Sequence, residues 1–402
     1  MFECKTIDSI HLISAQEWDE LWPSEYPFTK HAFFAALEDS GSIDGLNTNP
    51  QKQTGWQTKH LVVSNQGRTV AVMPLFLKDH SYGEYVFDWS WANAYHQNGL
   101  AYYPKLLNAI PFTPATGPRL GVDASFENTS SRTQIYNSIF SFVSELCDKN
   151  SYSGFHSLFP FGDQDVSWRH VGLSQRIGCQ FHWFNQDYSN FDDFLDRFSS
   201  RKRKNLKKER AKAAEANLEI HMREGKHIKP EEWDQFYHLY QMTYLKRSGH
   251  GGYLGKKFFH QVADGLPNNV VLASAHQKNE MIAAALYFRD DDTLYGRYWG
   301  CVQELDALHF ECCYYQGIEY AIKHKLQRFD PGAQGEHKIQ RGFTPIKTHS
   351  FHWLTHPAFN NAIKNFVSEE AAELETYIHT ARDSLPFREG SNIISEEILV
   401  NQ

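Results

Sequence analysis

The sequence predicts an α/β protein, of the α+β kind, built as two successive halves, each a central mixed sheet flanked by helices. Three observations carry this. The chain has 402 residues, long for one core and comfortable for two. Apolar residues switch along its length between helical spacing and short strand-like runs. The same order of helices, hairpin, helix, strand and loop occurs twice.

Residues 1–60 read as a helical lead-in, with Ser14 capping a helix and Glu17 three residues on. Two apolar runs around Asn65-Gln66-Gly67, within residues 61–78, read as a β-hairpin. Residues 85–121 crowd aromatics, Pro and Gly without a clean period, which predicts loops and short strands of the kind that hold binding residues. A helix follows at 132–148, with Ile135, Ile139, Phe142, Val143 and Leu146 on one face, and then a strand at 154–161.

The second half opens with an amphipathic helix carrying Phe191, Phe194, Leu195 and Phe198, followed by a strongly basic helix, 199–216. A helix at 231–247, a glycine-rich loop at 247–257 and a hairpin at 280–300 around Asp290-Asp291-Asp292 come next. The clearest helical periodicity lies at 307–325, where Phe310, Tyr314, Gly317, Ile318 and Ala321 recur, with Cys313 on the apolar face. A strand and turn at 326–346 and a terminal helix at 357–380 complete the chain, and the stretch from about Asp383 is polar and loosely held. The expected boundaries are 1–190, 191–356 and a C-terminal helix and tail at 357–402.

Composition excludes several classes. A net charge of −8 argues against a general nucleic-acid binder. No apolar run reaches about 18 residues, so no membrane span is expected. Acids among the first residues argue against a signal peptide, and a cytoplasmic location is expected. Six cysteines without CxxC spacing and 21 histidines without HExxH spacing predict no metal site. Aromatic residues reach 15%, suited to a large core and to ligand clefts.

Several segments carry chemistry. From Arg201 to Lys212, eight cations face one anion, Glu209, in an otherwise acidic protein. Arg201, Lys202, Arg203, Lys204 and Lys207 are therefore candidates for the phosphates of a polyanion, against the plain reading of a solvated face. In the turn GAQGEHK, Gly332 and Gly335 allow close backbone approach to phosphate, although a lone glycine pair is a weak signal and a tight inter-strand turn explains it more simply. His337, Lys338 and Arg341 suit a cleft wall. Acid–base chemistry needs a proton acceptor and a hydrogen-bond donor for developing negative charge. His309 and Glu336 are candidates for the base and Tyr314 or a backbone N–H for the donor, while Glu311 is a further acid that would also stabilise a helix start. In the first half, Asp88, Trp91, Asn93, His96, Tyr103 and Arg119 read as an acceptor pocket, with Arg119 gripping a carboxylate or phosphate and Tyr253 closing over it.

Three segments together carry a family resemblance. RKRKNLKKERAKAAEANLEI (from Arg201) resembles the basic helix and following strand that mark the second half of Fem-type transferases, matched at Arg203, Asn205, Leu206 and Lys207, with Ala216-Asn217 where a Gly is usual. LYFRDDDTLYGRYWGC and RFDPGAQGEHKIQRGF resemble the hairpin and closing turn of the same family. With WANAYHQNGLAYYPKLLNAIPFTPATGPRL, the chain from about residue 10 to 380 is similar to the FemAB-like branch of peptidoglycan biosynthesis or recognition. That resemblance implies two GNAT-like domains in tandem and adds Asn205 to the donor-binding candidates. It also implies transfer of an acyl or aminoacyl group from acyl-CoA or aminoacyl-tRNA to a small-molecule or peptide amine. The Q/R-x-x-G-x-G/A order of ordinary acetyl-CoA transferases is absent from the GAQGEHK turn. A non-catalytic recognition module of the same fold, binding a cell-wall fragment or a nucleotide, is the alternative.

Overall fold

The chain starts with a strand, not with the expected helical lead-in. Phe2–Ile7 pairs antiparallel with His60–Asn65, so a strand separated by more than fifty residues completes the sheet edge. No local signal announces such a pairing. The cap at Ser14 is present: its hydroxyl accepts the Glu17 N–H at 3.1 Å, opening the short helix Ala15–Asp19. This computed structural model describes residues 2–46, 48–126, 129–215, 217–333 and 335–390. Ala216, expected to end the basic helix, and the tail from residue 391 lie outside the described residues.

The described residues form two compact units: 2–178 with Lys347–Thr376, and Cys179–Ile346 with 377–390. This division differs from boundaries at 190 and 356. Two strands, Ser174–Phe184 and Thr344–Leu354, each carry the chain from one unit to the other in mid-strand, where no turn residue marks the change.

In the first unit, the hairpin His60–Asn65/Arg68–Met73 closes through Gln66 and Gly67, both at positive φ (53° and 78°). Paired positive φ values match the right-handed strand twist. Phe2–Ile7, this hairpin and Gly121–Val122 form one antiparallel sheet. Trp56–Thr58, Phe76–Lys78, Lys105–Asn108, Gly154–Leu158 and the end of Thr344–Leu354 form another. The helix Thr129–Asn150 buries Ile135, Ile139, Val143 and Cys147 against this framework. The region 85–121 also holds an unexpected helix, Trp89–Gln97.

Below that helix lies a buried ionic cluster. Lys105 Nζ donates to Asp88 at 2.5 Å, to Glu84 at 2.8 Å and to Ser81 at 3.0 Å. Tyr102 donates to Asp88 at 2.6 Å. One ammonium serves two carboxylates. Burial pushes Asp88 up, but Lys105 overrides it and holds Asp88 down at about 2. Glu84 is pushed up to about 7 by burial, with the Asp88 charge adding to the rise. A carboxyl whose folded pKa exceeds its unfolded value costs stability as pH rises between the two. Glu84→Gln is therefore expected to flatten the pH dependence of stability between about 4.5 and 7 by on the order of 2–3 kcal/mol. Denaturant melts at pH 5 and pH 8 check this; equal pH slopes for both proteins would refute it.

In the second unit, strands run in the order Glu219–Glu224, Val270–Gln277, Glu280–Arg289, Thr293–Cys301, Arg328–Asp330 and the end of Ser174–Phe184. Val270–Gln277 and the helix Lys256–Gly265 were not foreseen in the sequence, whereas the hairpin at Asp290–Asp292 was. The basic helix spans Ser200–Glu215 and the next helix Pro230–Ser248. The terminal helix, Pro357–Asp383, is longer than expected, and beyond it Leu385 and Phe387 pack on the core of the second unit instead of trailing free.

Candidate active site

The site begins where two parallel strands part. Thr293–Cys301 pairs with Arg328–Asp330 only over Thr293–Tyr295. Pro331 follows at once, has no N–H to donate and cannot extend the ladder. Among the described residues, no strand covers that edge of residues 296–301. A buried ion pair holds the fork: Arg297 Nη2 lies 2.5 Å from Asp330 Oδ2, and Asp330 also accepts the Gly332 N–H at 2.8 Å. The wedge between the strands is a cavity of about 120 Å³, lined by Gly296, Arg297, Trp299, His309, Cys313 and Tyr314 among others.

One wall is the expected helix at 307–325, with a twist the periodicity did not show. It runs as Leu308–Phe310, a π turn at Glu311–Tyr315, and Gln316–Lys323. A π turn bonds i to i+5 and widens the helix by one residue, a feature frequent at functional sites. Here it brings His309, Cys313 and Tyr314, at i, i+4 and i+5, to the same cavity. It also turns Cys312 fully into the core, while Cys313, expected on the buried face, packs against that core and lines the cavity.

His309 sits edge-on to Trp299 and Tyr314, at centroid distances of 5.3 and 5.5 Å. Among the described residues, nothing hydrogen-bonds its ring. Burial, and then the neighbouring His337, Arg247, Arg341 and Lys338, depress its pKa to about 4, so the imidazole is neutral at neutral pH. Tyr314 Oη and His337 Nε2 are hydrogen-bonded at 2.9 Å. Burial keeps the Tyr314 hydroxyl protonated.

The other second-half candidates divide sharply. Glu311 is buried in a bidentate pair with Arg210, at 2.6 and 3.0 Å, and also accepts from Gln316, so its role is to lock the helix. Glu336 is exposed, accepts the Tyr377 hydroxyl at 2.8 Å and does not line the wedge. Lys338 is buried and donates to Gly332 O at 2.5 Å, tying the turn shut. Arg341 clasps Glu209 at 2.6 and 3.1 Å and lies 3.5 Å over the Phe310 ring. Gly332 and Gly335 both hold positive φ, 96° and 117°. At Gly335 the backbone conformation itself, at φ 117°, disfavours any side chain, so turn geometry accounts for this glycine.

A wider groove of about 630 Å³ shares Trp299 and His309 with the wedge. Met242, Leu245, Val302 and Leu308 make its apolar walls. Its rim carries Arg247, exposed and near enough to shift His309. Arg247 and Trp299 were missed in the sequence because each sits in an ordinary helix or strand pattern. The loop leading to Leu308 presents Glu304 and Asp306, paired with Lys246 and Lys212 respectively.

The basic helix is less basic in space than in sequence. Arg203 pairs with Asp196 at 2.6 Å, Lys207 with Asp192 at 2.9 Å, Lys212 with Asp306 at 2.5 Å, and Arg210 with Glu311 and Glu319, both at 2.6 Å. Lys202 binds Gln340. Arg201, Lys204 and Lys208, at i, i+3 and i+7, are exposed on one face with no ion-pair partner among the described residues, and Asn205 is exposed beside them.

The first-half candidates do not gather into one pocket. Arg119 is fully buried and donates to the main-chain carbonyls of Leu158, Pro118 and Ala115, at 2.7, 3.2 and 2.5 Å. It is a strap for loops and cannot grip a ligand. Asp88 belongs to the Lys105 cluster, Trp91 is buried against His352 and Tyr103 bonds Ser81 at 2.8 Å. Asn93 and His96 remain exposed. Tyr253 lies in the second unit, its backbone N–H bonded to the Tyr240 hydroxyl at 3.0 Å and its ring beside His250 and Tyr244.

A mixed sheet whose parallel strands part over a cavity, in a chain made of two α/β units, defines a tandem GNAT-like fold. The chain belongs to the FemAB-like family, described as peptidoglycan biosynthesis/recognition, which matches residues 9–389. It is similar in fold to the crystal structure of FemX, with 12% identity, 88% of this chain and 98% of that chain covered, and a TM-score of 0.50. A tandem GNAT protein from the clavulanic acid biosynthesis pathway shares 10% identity, with 89% and 99% covered and a TM-score of 0.44. A conserved protein of unknown function from Bacteroides thetaiotaomicron VPI-5482 shares 11% identity, with 86% and 98% covered and a TM-score of 0.48. The sequence matches no curated protein. No helix among the described residues is long and apolar enough to cross a membrane.

Proposed function

We propose that the chain is an N-acyltransferase that moves an acyl or aminoacyl group from acyl-CoA or aminoacyl-tRNA to the amine of a peptidoglycan precursor or related small molecule. The observation that carries this reading is the fork at Tyr295–Asp330, open over a cavity lined by an unbonded, neutral histidine. The uncovered edge of residues 296–301 can hydrogen-bond the extended arm of a donor as an added strand would. The amine nitrogen attacks the donor carbonyl, and a C–N bond forms. His309 accepts the proton the amine loses. Tyr314, a hydroxyl in the lining, or a backbone N–H, faces the developing oxyanion. Collapse breaks the C–S or C–O bond to the leaving group, which takes the proton back from His309.

The groove lining sets Glu304 and Asp306, paired with Lys246 and Lys212, beside Arg247, and so favours neither donor over the other. The test is transfer of a radiolabelled aminoacyl group from total charged tRNA, or of acetyl from acetyl-CoA, to a muramyl-pentapeptide precursor. Transfer from neither donor would leave the recognition-module reading in its place.

Polyanion binding supplies a further expected result. Replacing Arg201, Lys204 and Lys208 with Ala should lower the slope of log affinity against log salt for tRNA by about 2–3. Replacing the ion-paired Arg203 and Lys207 should leave that slope nearly unchanged. Nitrocellulose filter binding across a salt series distinguishes the two sets, and equal slopes in both would rule out the exposed stripe as the contact.

A further inference from the structure

The helix Trp89–Gln97 has two contrasting faces. Its inner face buries Trp91 and Tyr95 in a cluster with Tyr102, Leu354, Ile363 and Val367. Its outer face carries Trp89, Asn93 and His96 at i, i+4 and i+7, with Ser90 and Gln97 beside them, all exposed. Trp89 is 43% exposed, and Tyr82 and Phe87, on the loop before it, are each 56% exposed. Tyr82 packs against Trp89 with ring centroids 5.1 Å apart. Tyr82 is fixed in turn, since Trp56 donates to its carbonyl at 3.1 Å and its N–H donates to His80 at 3.2 Å.

Contiguous exposed aromatics mark interaction surfaces. This one has a particular character. None of Trp89, Asn93, His96 and Gln97 has a side-chain hydrogen bond to the protein among the described residues. The outer face of the helix carries no Asp, Glu, Lys or Arg. Flat rings alternating with free amide and imidazole groups complement a ligand with apolar ring faces and neutral polar edges, which is the chemistry of a pyranose. The stripe from Trp89 to His96 is about 10 Å long on helical rise, enough for a disaccharide. An anionic membrane surface would call for exposed cations beside the rings, and the helix has none.

We infer that this stripe is a saccharide-binding site for neutral pyranose chains, with Trp89 and Tyr82 as a V-shaped stacking platform, their ring planes 58° apart, and Asn93 and His96 as the hydrogen-bonding edge. The buried inner face holds the platform rigid, so little ordering is lost on binding. This goes beyond the proposed function, because it assigns a ligand surface to the first unit, apart from the transfer site of the second.

The probe is a β-1,4-linked N-acetylglucosamine tetramer, titrated into the full chain by calorimetry. Binding is expected, and Trp89→Ala or Tyr82→Ala should weaken it by about tenfold or more, while Trp89→Phe retains most of it. Both residues are exposed, so unchanged melting temperatures confirm intact folding. No binding by the wild type, or equal binding by Trp89→Ala, overturns the inference. So does loss of co-sedimentation with phosphatidylglycerol/phosphatidylethanolamine vesicles in Trp89→Ala without any saccharide binding. Saccharide binding without transfer from any donor would sink the transferase reading and leave this site standing, and transfer without saccharide binding would do the reverse.

Discussion

His309→Ala is expected to lower turnover by about 10²–10⁴-fold, the usual contribution of a positioned general base. The residue lines both the wedge and the outer groove, and no protein group hydrogen-bonds its ring among the described residues. Because His309 titrates near 4, it is already in its accepting form through the neutral range. The sign follows from that depressed value: the wild-type rate should lose its His309-dependent part as pH falls through about 4, and stay free of a His309 step above it. Single-turnover rates across pH, with circular dichroism to confirm folding, make the check. Glu336→Gln serves as the comparison, since Glu336 stands outside the wedge and pairs with Tyr377. Full activity in His309→Ala would remove the residue from the chemistry and point to the second site candidate, the Tyr314–His337 pair.

The largest expected effect on stability comes from the first unit. Lys105→Met should destabilise the protein by about 3–5 kcal/mol, because it leaves Asp88 and Glu84 buried without a cation. Lys105 and both carboxylates are 4% exposed or less, so solvent offers little screening. Lys105 is held above the ordinary lysine range by the two carboxylates, against its own burial. Its stabilising contribution is therefore present throughout the neutral range and lost only as pH rises beyond the unfolded lysine value. Adding Asp88→Asn and Glu84→Gln to Lys105→Met should restore much of the loss, since the penalty lies in unpaired buried charge and not in the missing pair. Urea midpoints for the single and triple variants decide the matter; a triple variant as unstable as the single one would mean that Lys105 acts through packing alone.

Local patterning made some of the molecule legible. Gly67 after Asn65-Gln66 announced a hairpin, because only residues tolerant of positive φ close so short a turn. The apolar repeat near Phe310 announced the wall of the wedge, and His309 and Tyr314 with it. The helix Trp89–Gln97 stayed hidden because aromatics occupy both of its faces, which erases the amphipathic period. Ser174–Phe184 and Thr344–Leu354 were also hidden, since polar residues interrupt their apolar alternation and their pairing partners are remote in the chain.

Chemical character proved harder to read than fold. Arg119 and Asp88 looked like ligand-binding groups by residue type and Glu311 like a further acid at a helix start, and each is occupied by partners inside the protein. By itself the sequence determined the α/β class, the tandem halves, the family and the presence of eight cations on one helix, because these follow from local spacing and from residues written in order. Only the tertiary structure decided what the charges do. Asp192, Asp196, Asp306, Glu311 and Glu319, brought to the helix Ser200–Glu215 by folding, pair with four of those cations and leave Arg201, Lys204 and Lys208 uncovered on one face. The physical reason is range: propensity and periodicity act over a few residues, whereas a Coulomb pair needs only a few ångströms of space and can join residues a hundred positions apart, as Arg210 and Glu311 are.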